Sequence, residues 1–116
     1  MNCRGKPRKD VKHMEIENEK FLVKVTAEDP IAVIGMQNAL ELAQKELLRL
    51  NKRFSEATIY RENDMGLRTE AICIRTGGCY AKPSDGIKHG YPFKAYQNGN
   101  YWGKLNLDGT FVQGGQ

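Results

Sequence analysis

The sequence predicts an α+β domain in which one long helix packs across an antiparallel sheet. Apolar side chains follow a helical period once, between residues 30 and 55, and segments with the two-residue period of strands lie on both sides of it. The dipeptides Asn98-Gly99 and Asp108-Gly109 are strong signals for tight turns between strands. Because strands grouped around a single helix are typical of α+β folds, we expect the order strand, helix, two strands, long loop and three-stranded meander.

The first strand is predicted between Lys20 and Ala27, where apolar and polar side chains alternate. Asp29 is a good helix-capping residue, and Pro30 suits the first helical turn because it has no N–H to leave unpaired. We therefore expect a helix that runs from Pro30 to about Ser55.

The predicted helix carries an apolar seam whose members recur at alternating spacings of three and four residues: Val33, Met36, Leu40, Ala43, Leu47, Leu50 and Phe54. Ile34, Leu42 and Leu48 broaden this seam, which favours packing of the helix on a sheet of the same chain. A homodimer through the Val33–Phe54 seam or through a sheet edge is the alternative.

The second half of the chain is predicted to consist mostly of strands. Glycines and prolines interrupt every period between Gly77 and Tyr91, so we expect a long loop without regular structure there. A hairpin before this loop and a meander after it give the predicted strands Ala57 to Arg61, Leu67 to Thr76, Pro92 to Gln97, Asn100 to Leu107 and Thr110 to Gln113.

Composition and length narrow the class of protein. The chain has 116 residues, of which 40% are hydrophobic and 28% charged, and these values exclude a wholly disordered chain, a collagen-like repeat and a coiled-coil rod. The sequence has neither an apolar run of membrane-helix length nor an export signal, so we expect a cytoplasmic protein without a membrane partner. Its three cysteines are an odd number, and we expect reduced thiols.

The formal net charge of +4 comes from the first thirteen residues, where a single acid, Asp10, stands against five basic side chains: Arg4, Lys6, Arg8, Lys9 and Lys12. We therefore predict a flexible basic arm over residues 1–13 and a single folded domain over residues 14–116. The arm either contacts phosphate by counterion release or is an extension upstream of a start at Met14, and both interpretations remain open.

Aromatic side chains concentrate at the other end of the chain, because seven of the ten lie in the last 37 residues. Tyr101 and Trp102 are adjacent in a predicted strand, so they should face opposite sides of the sheet, and at least one ring must lie outside the single core. We favour Trp102 in the core. An exposed ring beside lysines suits either stacking of a nucleic-acid base or anchoring of a protein partner.

The glycine-rich segment from Arg75 to Gly90 is a candidate anion site, since glycines let backbone N–H groups approach a phosphate. It lacks the spacing of a P-loop or a dinucleotide-binding motif. Together the loop and the aromatic strands give the predicted ligand-binding residues Arg75, Lys82, Lys88, His89, Tyr91, Lys94, Tyr96, Tyr101, Trp102 and Lys104.

Cys73, Cys79 and His89 are the only cluster of soft metal ligands in the sequence, but they lack the paired cysteines of structural zinc sites, so we predict no metal and no cofactor. A thiol–imidazole pair formed by Cys79 and His89, with Asp85 as the orienting group, is a weak candidate for catalysis.

The sequence therefore predicts a non-enzymatic binding protein that recognises an anionic ligand, either single-stranded nucleic acid or a nucleotide-like small molecule. The alternative is a small protein-interaction inhibitor, such as an immunity or anti-defence factor of a mobile genetic element. A small enzyme that uses Cys79 and His89 is the third hypothesis.

Overall fold

The computed structural model describes residues 18–114, in which one helix crosses one face of a seven-stranded antiparallel sheet. The strands are β1 (Lys20–Val25), β2 (Ile31–Ile34), β3 (Glu56–Glu62), β4 (Arg68–Arg75), β5 (Phe93–Gln97), β6 (Asn100–Leu105) and β7 (Phe111–Gln113), and the helices are α1 (Met36–Leu50) and α2 (Pro83–Lys88). The sheet order is β2-β1-β3-β4-β5-β6-β7. This architecture confirms the predicted α+β class, while the predicted arm over residues 1–13 lies outside the described residues.

The hydrophobic core lies between α1 and the face of the sheet that the helix covers. Alternate strand residues point to this face, so cross-strand partners such as Ile59 and Ile72 are apolar together. The helix contributes the central part of its predicted seam, with Leu40, Ala43 and Leu47 buried against the sheet of the same chain. The buried Gln44 donates from Nε2 to the carbonyl oxygen of Asn106 at 2.5 Å and so ties α1 to the turn between β6 and β7.

The predicted start of the helix at Pro30 is wrong. Ile31–Ile34 instead forms β2, an edge strand that pairs antiparallel with β1, and Pro30 is tolerated because it lies just before that edge strand. Three of the four β2 residues are β-branched, and a strand lets them pair with backbone groups of β1 that would otherwise form the sheet edge. Gly35, with φ of 92°, then turns the chain into α1.

The predicted end of the helix at Ser55 is also wrong, because α1 ends at Leu50. Asn51 adopts the left-handed conformation, with φ of 48°, and donates its N–H to the carbonyl oxygen of Leu47 at 2.8 Å, which is a usual way to close a helix. Consequently Val33 and Phe54, the two ends of the predicted seam, do not belong to the helix.

The segment between β4 and β5 contains one short helix, so the prediction that regular structure fails from Gly77 to Tyr91 is wrong in part. Pro83 occupies the first turn of α2, where its missing N–H costs nothing. The predicted meander after this segment is confirmed, and both residues of the Asn98-Gly99 turn have positive φ, as a tight hairpin requires. Within residues 18–114, no helix is both long and apolar enough to span a membrane.

Candidate functional site

The face of the sheet that α1 leaves uncovered carries two parallel rows of side chains across β4, β5 and β6. In one row, Arg75 lies opposite Lys94 and Lys94 lies opposite Lys104. Two residues further along β5, Tyr96 lies opposite Tyr101 of β6. Because cross-strand neighbours are about 5 Å apart at Cα, three cations and two tyrosines share one small area.

An irregularity in the pairing of β5 and β6 brings the two tyrosines together. The register shifts between Ala95 and Tyr96, and Tyr101 therefore comes opposite Tyr96, with ring centroids 5.9 Å apart and ring planes at 81°. Trp102 instead packs on Phe111, with ring centroids 4.1 Å apart, and against the core. This arrangement agrees with the expectation that Trp102 points to the core and Tyr101 to the other face.

Arg75 is held by two neighbours. Its guanidinium lies over the ring of Tyr96, 4.7 Å from the centroid, and its Nε donates to Glu56 Oε2 at 3.0 Å. The first contact is a cation–π interaction, and the second neutralises much of its charge. Arg75 therefore fixes the orientation of Tyr96, which in turn contacts Tyr101.

Lys94 and Lys104, the two lysines of the cation row, lack a comparable acidic partner among the described residues. Lys94 donates from Nζ to the carbonyl oxygen of Gly78 at 3.2 Å, which is a neutral acceptor. Within residues 18–114, neither Lys94 nor Lys104 has a carboxylate in salt-bridge range. Because like charges directly opposite each other in a sheet are destabilising, this pair costs the fold some stability.

These side chains form the floor of a groove with a volume of about 550 Å³. Its wall comes from the segment between β4 and β5, and the full lining is Gly78, Gly90, Tyr91, Pro92, Lys94, Tyr96, Tyr101 and Lys104. None of these eight described residues is acidic. The two ends of this segment lie in contact at Gly77, where a Cβ atom would collide with the carbonyl oxygen of Pro92.

Five of the predicted ligand-binding residues line this groove: Tyr91, Lys94, Tyr96, Tyr101 and Lys104. Arg75 stacks on Tyr96 in the floor of the groove. The exposed Lys82 and Lys88 are absent from the groove lining. Trp102 belongs to the opposite face of the sheet. His89 stacks on Tyr80, with ring centroids 4.6 Å apart, and its Nδ1 lies 2.9 Å from the carbonyl oxygen of Asp85.

A second cavity of about 390 Å³ adjoins the groove and shares Gly78, Lys94 and Tyr96 with it. Phe54 lies at this cavity, although the helical seam predicted it as a core residue, and its side chain is 79% exposed. The backbone at Phe54 is left-handed, with φ of 58°, and its N–H donates to the carbonyl oxygen of Ala81, which is distant in sequence. No sequence pattern predicts the position of Phe54, because this contact is not local. Tyr80 and Thr76, which also line the second cavity, were not predicted either.

The thiols occupy different environments. Cys73 is buried, and burial together with the nearby Glu56 carboxylate raises the pKa of its thiol to about 11, which keeps it protonated at neutral pH. Cys79 is exposed, and among the described residues no hydrogen bond joins it to His89. Over residues 18–114 there is no group of three or more His, Cys, Asp or Glu side chains arranged to hold a metal ion.

Comparison with known proteins found no matching family model, no matching curated protein and no matching solved structure.

Proposed function

We propose that the groove binds a nucleotide unit, whether as a free nucleotide or within a single-stranded nucleic acid, and that the protein acts as a binding protein without catalysis. The observation that carries this proposal is the position of Lys94 and Lys104, which have no carboxylate in salt-bridge range within residues 18–114, directly beside the tyrosine pair, Tyr96 and Tyr101. A nucleotide has a phosphate and a flat base next to each other, so its two parts match the two rows.

The phosphate would lie over the cation row. Lys94 and Lys104 each carry an ammonium group with N–H donors, and a phosphate placed between them would relieve their mutual repulsion. Of the groups in the row, Arg75 already has the Glu56 carboxylate as a partner, so its main role is to stack on Tyr96.

The base would stack on the tyrosine pair. Tyr101 is partly exposed, and its orientation is set by the edge-to-face contact with Tyr96 and, through Tyr96, by Arg75. A ring that is already oriented loses little freedom when a ligand binds, which improves affinity. The groove volume of about 550 Å³ also falls within the usual range for small-molecule sites, roughly 300–1,000 Å³.

Calorimetric titration with dTMP and with the single strand dT10 tests this proposal and separates the two sources of the nucleotide. We expect both ligands to bind the wild-type protein, and we expect Tyr101→Ala to weaken both by at least about fivefold, because one stacked base contributes about 1–3 kcal/mol. Tyr60→Ala is the matched control, since Tyr60 lies on the same face of the sheet but lines neither cavity.

Salt dependence separates phosphate binding from a protein-type interface. If Lys94 and Lys104 both contact phosphate, log K for dT10 should fall with log salt at a slope of about −1.4, and Lys104→Gln should reduce that slope by about 0.7. If neither dTMP nor dT10 binds at millimolar concentration, the proposal is wrong, and the alternative of a protein-interaction inhibitor becomes the better hypothesis.

A further inference from the structure

The second cavity continues the groove across the sheet toward the end of α1. The Arg75–Glu56 ion pair lies in its wall. Besides the residues that it shares with the groove, the cavity is lined by Phe54, Ser55, Glu56, Arg75, Thr76, Cys79, Tyr80 and Ala81. Lys94 and Tyr96 lie at the junction, where both cavities contact them. A ligand longer than one nucleotide could therefore pass from the groove into the second cavity without leaving the protein surface.

If stability alone determined the residue at position 54, phenylalanine would be an unusual choice. Its ring is 79% exposed, so it gains little from burial, and its backbone adopts a left-handed conformation that bulky residues rarely occupy. The conformation is held in place by the hydrogen bond from its N–H to the carbonyl oxygen of Ala81 at 2.9 Å. The guanidinium of Arg53 lies over the Phe54 ring, 5.5 Å from its centroid. An exposed aromatic ring at the rim of a cavity is the arrangement that single-stranded nucleic-acid sites use for stacking.

Thr76 lines the second cavity and carries a polar group beneath its surface. The hydroxyl of Thr76 is buried and has no hydrogen-bond partner among the described residues, although buried hydroxyls are usually paired. Two cations lie at the second cavity, since Arg75 lines it and Lys94 lines both this cavity and the groove. The second cavity thus combines an exposed aromatic ring with two cations, of which Arg75 is paired with Glu56 and Lys94 is not.

We propose that the groove and the second cavity together bind a single-stranded oligonucleotide, with one base stacked at Tyr101 and a neighbouring base stacked at Phe54. The phosphate between these two nucleotides lies at the junction, near Lys94 and Arg75. This inference rests on the proposed function, because it extends the nucleotide site by a second base position and so names the substrate class.

The test compares ligands of increasing length on four forms of the protein. We expect the wild type to bind dT4 more tightly than dTMP, by about tenfold, because the second stacked base adds its own contribution. Phe54→Ala should remove this gain and leave dTMP binding unchanged, whereas Phe54→Trp should restore it. Met65→Ala is the control for loss of an exposed apolar side chain, since Met65 lies at the tip of the hairpin between β3 and β4.

Alkylation of Cys79 gives an independent readout of the second cavity. Cys79 is exposed and lines this cavity, so iodoacetamide should modify it in the free protein, and peptide mass spectrometry distinguishes it from the other cysteines. We expect dT4 at saturation to slow the modification several-fold, and saturating dTMP to leave it unchanged.

The outcomes separate the two proposals. If neither dTMP nor dT4 binds, the nucleotide site itself is wrong and this inference is wrong with it. If dTMP binds through Tyr101 but dT4 binds no more tightly, or if Phe54→Ala leaves dT4 binding unchanged, the second base position is overturned while the nucleotide site stands.

Discussion

On the face of the sheet that α1 covers, neighbouring strands place apolar side chains opposite one another, as in the pairs Ile59 with Ile72 and Phe93 with Leu105. On the other face, β5 and β6 place Lys94 opposite Lys104. The same backbone hydrogen bonds hold both faces, so the difference lies entirely in the side chains. The covered face is arranged for burial, whereas the uncovered face contains contacts that folding alone does not favour.

This contrast helps to locate function within the fold. A row of apolar residues needs no explanation beyond the core, because burying each side chain stabilises the fold. A pair of unbalanced lysines and an exposed phenylalanine in a left-handed conformation both oppose folding. Both features lie at the groove or at the cavity that adjoins it.

The largest effect is expected on the covered face. Leu47→Ala should lower the free energy of unfolding by about 2–5 kcal/mol, because Leu47 is fully buried and its loss leaves a cavity between α1 and the sheet. Leu48→Ala, one residue away and 38% exposed, is the matched control and should cost less than about 1 kcal/mol. Urea unfolding followed by the fluorescence of Trp102 measures both values, and equal losses would contradict the division between the two faces.

A smaller effect is expected at the base of the groove wall, where the two ends of the segment between β4 and β5 meet. Gly77→Ala should cost about 1–3 kcal/mol and weaken dTMP binding, because its Cβ would collide with the Pro92 carbonyl and displace the wall. Gly86→Ala provides the comparison and should cost less, since its Cβ would meet the methyl group of Thr76 at 3.1 Å and the carbonyl oxygen of Gly77 at 3.2 Å without a direct collision, and alanine is favoured in a helix. Unchanged dTMP affinity in Gly77→Ala would show that this wall takes no part in binding.

The sequence predicted those parts of the fold that local signals determine, and it failed where contacts between distant segments decide the structure. Local signals were sufficient for the meander, because Asn98-Gly99 sets its own turn geometry. They were insufficient at Ile31–Ile34, where a capping residue and a proline favour a helix but pairing with the free edge of β1 favours a strand. The same holds for Phe54, whose spacing matches the helical seam although Asn51 has already ended the helix.

The candidate site shows a similar division. Alternation along β5 and β6 was enough to place Tyr96 and Lys94 on the uncovered face. The sequence could not show that Lys82 and Lys88 fall outside the groove lining, because their positions depend on the short helix α2. The second cavity was also unpredictable, since it joins residues from the end of α1, β4 and the following loop that are far apart in sequence.

The smallest expected change in stability comes from Lys104→Gln. It is the most informative one, because this variant should stabilise the fold and at the same time weaken ligand binding. Lys104→Gln should raise the free energy of unfolding by about 0.2–1 kcal/mol at low salt, since it removes the repulsion with Lys94. This gain in stability should vanish in 1 M NaCl, because salt then screens the repulsion between the two lysines beyond a distance of about 3 Å. The same variant should weaken dTMP binding by about two- to fivefold, the range expected for one exposed ion pair. Lys88→Gln removes an exposed lysine outside the groove lining and should change neither quantity appreciably. If Lys104→Gln lowers stability, Lys104 contributes to the fold instead, and the lysine pair no longer supports an anion site.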